Sequence, residues 1–233
     1  MGRMSSSNQA SVPNQNSNYV QSNLLGLVSK LSLYARRRMV RSLLDLSQPT
    51  PDTTVLDVGV TLDRREDCNF FEKAYPYPGR ITAVGLEDAS FLEQEFPGLK
   101  FVQANALDLP FADQSFDLVV SFAVIEHVGS RAQQRAFVRE LCRVGKQVYI
   151  ATPNRWYPVE FHTILPLIHW LPPDWFRRIL RVLGHDFWAK EDNLNLLTLS
   201  EFRQLFPPDR TLYYRPTRLL GWVSNLSLFA VRR

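Results

Sequence analysis

Phe116-Asp117-Leu118-Val119-Val120-Ser121-Phe122-Ala123-Val124-Ile125-Glu126-His127-Val128 is a short apolar run that breaks into an acidic residue and a histidine. Three comparable runs precede it. They are Val55-Leu56-Asp57-Val58-Gly59, Ile81-Thr82-Ala83-Val84-Gly85-Leu86-Glu87 and Phe101-Val102-Gln103-Ala104-Asn105-Ala106. Each ends in a small or acidic residue, and helix-length sequence separates it from the next. That rhythm predicts an open parallel sheet whose ligand sits at the strand C-termini.

The bulk numbers bound the class. A chain of 233 residues suits one α/β domain with an added cap. Hydrophobic content of 45% and charged content of 21% are ordinary for a globular protein. Cys68 and Cys142 are too few for a disulfide framework and form no CxxC pair, so a reducing, cytoplasmic compartment is expected, with both thiols structural. No apolar run has membrane-crossing length, and no secretory leader pattern opens the chain. A net charge of +4 permits an anionic partner without requiring one. Arg36, Arg37, Arg38 and Arg41 cluster in a region with no acid before Asp45. They read as a solvated helix face or as a grip on an acidic substrate.

Along the chain, residues 1–23 are Ser/Asn/Gln-rich and predict a disordered tail. Gly2 to Ser6 also fits a short myristoylation pattern. Helical spacing runs from Leu24 to Leu46, closed by Pro49 and Pro51, and this helix should cross the sheet edge or the ligand pocket. A short helix follows at Phe70–Tyr75, with Asn69 and Glu72 as a capping-box-like pair. Further helices are expected at Ala89–Phe96 and Ser130–Arg143, the latter leading into a strand at Gln147–Ala151. A Trp- and Pro-rich segment, Pro153 to Asn195, does not read as βα units and forms an inserted cap or lid. Ser200 can cap a helix through Phe206, and Thr211–Arg215 and Asn225–Val231 complete a seven-stranded, mostly parallel sheet with helices on both faces.

Taken in order, with Leu109-Pro110-Phe111-Ala112-Asp113-Gln114-Ser115-Phe116-Asp117 between the third and fourth runs, these segments resemble the class I S-adenosylmethionine-dependent methyltransferases, type 11-like. The resemblance covers roughly Asp52 to Arg155. It implies a Rossmann-like sheet, S-adenosyl-L-methionine as cofactor, and a cofactor site at Asp57, Gly59, Thr61, Glu87, Asp88, Asn105, Ala106, Leu107 and Phe122. The chemistry agrees. Gly59 permits close backbone approach. Asp57 can accept from turn amides or an ammonium. Glu87 can take both ribose hydroxyls. Asn105 can pair with an adenine edge, between Leu86 and Leu107.

One departure stands out. The family's first loop is usually Gly-x-Gly-x-Gly, whereas here it runs Gly59-Val60-Thr61-Leu62-Asp63 and continues into a polar insertion, Asp63 to Asn69. Either the longer loop still cradles the methionine end, with Asn69-Phe70-Phe71 closing the pocket, or the chain is a non-catalytic, methyltransferase-like binding protein. Asn69-Phe70-Phe71-Glu72, Thr152-Pro153-Asn154-Arg155-Trp156 and His169-Trp170-Leu171-Pro172 resemble a subgroup with this same altered loop.

On the acceptor side, His127 follows the fourth strand, and Glu160 and His162 follow the fifth; these three are the candidate catalytic residues. Glu160 and His162 are expected at the cleft mouth beneath the cap. No cluster has the spacing of a metal site. Ile164 to Leu183 mixes aromatics with Arg177, Arg178 and Arg181, as a lid over a cleft or as a peripheral membrane contact would. No basic stripe points to nucleic acid. The expected acceptor is a small molecule, a sugar or a lipid-linked glycan.

Overall fold

A computed structural model describes residues 25–64 and 68–233, and the side chains from residue 31 onward. The expected tail, the myristoylation pattern, and Arg65, Glu66 and Asp67 of the polar loop lie outside the described residues.

Period-two alternation builds the sheet. In β4 (Phe116–Phe122), Leu118 and Val120 face one side and Val119 the other. In β5 (Gly145–Pro153), Tyr149 and Ala151 oppose Val148 and Ile150. Such strands, buried on both faces, need helices on both faces. α1 (Leu25–Ser47) places Met39, Val40 and Leu43 against Leu118, Val120 and Tyr149, together with α2 (Phe70–Ala74) and α3 (Phe91–Glu95). α4 (Arg131–Val144) covers the opposite face through Phe137, Val138 and Leu141, with α6 (Leu199–Gln204) beside it. α1 therefore lies on a sheet face, not across an edge, and only Arg36 of its arginine cluster borders the ligand cleft.

The strand order is β3-β2-β1-β4-β5-β8-β6, where β1 is Val55–Val58, β2 Ile81–Gly85, β3 Lys100–Gln103, β6 Arg210–Tyr214 and β8 Trp222–Arg232. β1 to β5 pair in parallel, and β8 runs antiparallel to both β5 and β6. Among the described residues the sheet has eight strands, one more than the sequence suggested. The extra one, β7 (Thr217–Leu219), pairs with β8 across a tight turn at Leu220-Gly221, both with positive φ. Two positive φ values suit a tight hairpin turn. A leucine in that conformation carries no turn signal, so the sequence hid the hairpin.

Two expected caps are corrected. Thr198, not Ser200, starts α6: its hydroxyl accepts from Glu201 N while Glu201 Oε2 accepts from Thr198 N. Asn69 precedes α2 in a left-handed conformation and makes no side-chain cap. The segment after β5 builds a small core of its own from Phe176, Leu180, Trp188, Ala189, Leu194 and Leu196, around α5 (Pro173–Val182). No helix of the described residues is long and apolar enough to cross a membrane.

Candidate active site

A cleft of about 470 Å³ opens at the C-terminal ends of β1, β2 and β4. Its floor is set by two glycines. Gly59 leaves β1 at φ +113°, its N–H and that of Val60 both donating to Val84 O at 2.8 and 3.1 Å. A Cβ there would lie 2.2 Å from Val124 Cγ2, and one at Gly85 would lie 2.9 Å from Val60 O. Both positions exclude any side chain.

The missing loop glycines are replaced by a clamp. Asn69 Oδ1 accepts from Thr61 N at 3.0 Å, and Asn69 Nδ2 donates to Thr61 O at 2.8 Å. Thr61 Oγ1 accepts from Asp63 N at 3.3 Å. The loop is thus held by one asparagine side chain acting across the insertion. Thr61 lines the cleft, but both its backbone groups are spent on Asn69.

At one end of the cleft stand two buried carboxyls, Asp57 and Glu72, 6% and 1% exposed. The two carboxyls face each other within hydrogen-bond reach, and no other side chain donates to either Glu72 oxygen. Burial pushes both above the carboxylate range, Asp57 furthest because the charge of Glu72 adds to the cost of burial. Glu72 was legible only as a capping residue. What singles it out is desolvation, which one sequence does not display. Phe70, Phe71 and Phe122 wall this end, with Phe122 at 5.0 and 5.6 Å from the other two rings, and the Arg36 guanidinium lies 4.9 Å from the Phe70 centroid.

At the other end Glu87, Asn105, Ala106 and Leu107 line the cleft with Leu86, which is 73% exposed. Asn105 Oδ1 accepts from Leu107 N at 3.0 Å, which fixes the turn after β3. Asp88 is absent from the lining. Its Oδ1 accepts from Ser90 N at 2.9 Å, which lowers its pKa and turns it toward α3 instead. Of the nine expected cofactor residues, Asp88 alone lies off the cleft.

The turn after β4 borders the cleft. His127 lines the cleft; Glu160 and His162 do not. They sit behind it, the His162 ring 4.8 Å from that of His127 and edge-on to it. His162 Nδ1 donates to Glu160 Oε1 at 2.6 Å, and Glu160 Oε2 also accepts from Thr163 N and Oγ1 at 2.7 Å. Against the burial that would raise it, His162 brings Glu160 down to about 2. His162 itself is raised, because Glu160 outweighs burial. Burial first, then the charge of His162, lowers His127 to about 3. The segment from Pro153 to Asn195 contributes no lining residue. It packs beside the His127 turn, where Asn195 N donates to Glu126 O at 2.7 Å, rather than over the cleft.

A parallel β3-β2-β1-β4-β5 sheet extended by β8, which runs antiparallel, and then by β6, which returns to the parallel direction, with a cleft of this composition at its strand ends, defines a class I, Rossmann-like methyltransferase fold. The profile of the methyltransferase domain family matches residues 70–148. A probable S-adenosylmethionine-dependent methyltransferase of Mycobacterium tuberculosis is 40% identical over 81 residues, 33% of this chain and 28% of the relative. A demethylmenaquinone methyltransferase of Roseiflexus is 30% identical over 125 residues, 52% and 47% of the two chains. The chain thus spans less than half the length of these relatives. Among solved structures, a magnesium protoporphyrin IX methyltransferase from Synechocystis with bound S-adenosylhomocysteine aligns over 94% of this chain and 92% of its own, with TM-score 0.58 and 12% identity. Residues 70–148 thus carry a methyltransferase domain of the S-adenosylmethionine-dependent kind, on a fold shared with class I methyltransferases.

Proposed function

We propose that the chain transfers a methyl group from S-adenosylmethionine to a small-molecule acceptor, with a sugar or a lipid-linked glycan as the narrower reading. The observation that carries this is the Asp57–Glu72 pair. Two buried carboxyls side by side, with Asp57 as the only side-chain partner of Glu72, suit a ligand that brings positive charge. The cofactor's ammonium supplies it. The Asn69 clamp weighs against the non-catalytic alternative, because it preserves the turn that the lost glycines usually form.

The residues divide the work by position. Asp57 and Glu72 hold the ammonium, Glu87 the ribose, and Asn105 the adenine edge, with Leu86 and Leu107 against the ring faces. Phe70, Phe71 and Phe122 exclude water from the methionine end. When bound, S-adenosylmethionine supplies an electrophilic methyl group. The chain's task is to hold the acceptor in line with it beside His127 and keep it dry. Calorimetric titration with S-adenosylhomocysteine tests the reading. Wild type should bind, and Glu87→Ala should bind about 10- to 100-fold more weakly, the cost of a lost hydrogen bond to a charged group. Equal affinities, or no binding by wild type, would remove it.

A further inference from the structure

We propose that Glu126, His127 and His162 form a binding site for one divalent transition-metal ion, of the zinc type, adjoining the acceptor end of the cleft. A carboxylate oxygen of Glu126 and one ring nitrogen from each histidine lie within 4.8 Å of one another, and His127 Nε2 is 4.0 Å from Glu126 Oε1. Two imidazoles and a carboxylate are a donor set zinc takes at catalytic sites, with a position left open. At zinc bond lengths each donor needs to close in by roughly 0.5 Å, a side-chain adjustment.

The groups around the three residues are arranged as they are around metal ligands. His127 Nδ1 donates to the Asn193 carbonyl at 2.6 Å, which makes Nε2 the lone-pair nitrogen of the neutral ring. His162 Nδ1 is engaged by Glu160 at 2.6 Å, so Nε2 is the nitrogen of that ring that would coordinate. Outward anchoring of this kind, one ring on a carbonyl and one on a carboxylate, fixes tautomer and orientation in metal sites. Glu126 Oε2 accepts from Thr152 Oγ1 at 2.8 Å, but Oε1 is fully buried with no hydrogen-bond partner. An orphaned carboxylate oxygen in a dry site is costly unless a cation answers it.

The scaffold is also stiff. Glu126 and His127 share a one-turn helix, Ile125–His127, whose carbonyls are tied to Gln134 Nε2 and Asn195 N. The Trp188 ring packs against both imidazoles, at 5.9 and 4.7 Å. A divalent ion would balance the charges of Glu126 and Glu160. None of these contacts depends on the methyl-transfer reading.

The test uses the full chain, stripped with a chelator and dialysed, then titrated with Zn²⁺ and with Co²⁺ by calorimetry and visible spectroscopy. Wild type should bind one ion per chain. Zn²⁺ should shift the NMR signals of two of the four histidines, His127 and His162, and leave His169 and His185 in place. Glu126→Gln and His162→Gln should each weaken binding at least ~100-fold, and Glu160→Gln about 10- to 100-fold by releasing His162. Circular dichroism and an S-adenosylhomocysteine titration on the same samples report folding and the cofactor cleft separately. If a variant fails to fold, the histidine signals of wild type decide alone. No stoichiometric binding by wild type would mean that the cluster holds a proton and not a metal ion. Undiminished binding in folded Glu126→Gln and His162→Gln, or shifts at His169 or His185, would place the ion elsewhere. Either result overturns the proposal.

Discussion

Glu72 is a carboxyl buried almost completely beside another. Its folded pKa is raised, so the folded protein holds the proton more tightly than the unfolded chain. The associated stability is present below the ordinary carboxylate pKa and is lost as pH rises through the folded value. Glu72→Gln should therefore flatten this loss and raise the thermal midpoint at pH 8, while weakening S-adenosylhomocysteine binding about 10- to 100-fold. A lower midpoint with unchanged affinity would return Glu72 to a packing role. Asn69 makes a second case. Asn69→Ala removes both hydrogen bonds to Thr61 and should weaken cofactor binding by about 1–3 kcal/mol, read by the same titration. In the sequence these two residues look like a capping pair three apart. The left-handed backbone at Asn69 and its partner across the insertion are tertiary facts, and local spacing does not encode them. Asp57, Gly59 and Glu87 were legible because each ends a strand, and strand ends are visible in one sequence.

Elements are joined at their ends by a few polar ties. At the N-terminal edge of the sheet, Asp117 Oδ2 accepts from Thr54 N and Oγ1 at 2.9 and 2.8 Å, and Oδ1 accepts from Lys146 Nζ at 2.7 Å. One carboxylate thus binds the starts of β1, β4 and β5. The Lys146 hydrogen bond, helped by Thr54, holds its pKa at about 2. A depressed carboxylate contributes stability above its unfolded pKa and loses it as pH falls through the folded one. Asp117→Asn should lower the thermal midpoint at pH 7, and the gap from wild type should close between about pH 4 and 2. A gap that persists at pH 2 would assign the effect to packing. The capping box of α6 gives a plainer test: Thr198→Ala should cost about 1 kcal/mol in denaturant unfolding, with S-adenosylhomocysteine affinity unchanged. Ser200 was the better candidate from residue type alone. The box becomes evident only when Glu201 is paired with the residue three before it.

For the whole molecule, the parallel half was legible because its strands are short, mostly apolar runs, each ending near a small or acidic residue and separated by helix-length gaps. The segment after β5 was legible as an insertion and not as to its place, since its aromatic residues fill their own small core beside His127 instead of roofing the cleft. The last hairpin escaped because its turn uses a leucine with φ +51°. One feature of the topology also governs how the chain reaches this state. β8 lies between β5 and β6, and Tyr149 finds its partner in Phe229, only after α5, α6, β6 and β7 have been synthesised. At ordinary translation rates the Val148-Tyr149-Ile150-Ala151 edge stays open for on the order of several seconds. During that interval the nascent chain presents an unpaired, wholly apolar strand, the kind of edge that recruits foreign strands. Yield of soluble protein should then depend on translation speed and chaperone supply more than on the stability of the finished fold.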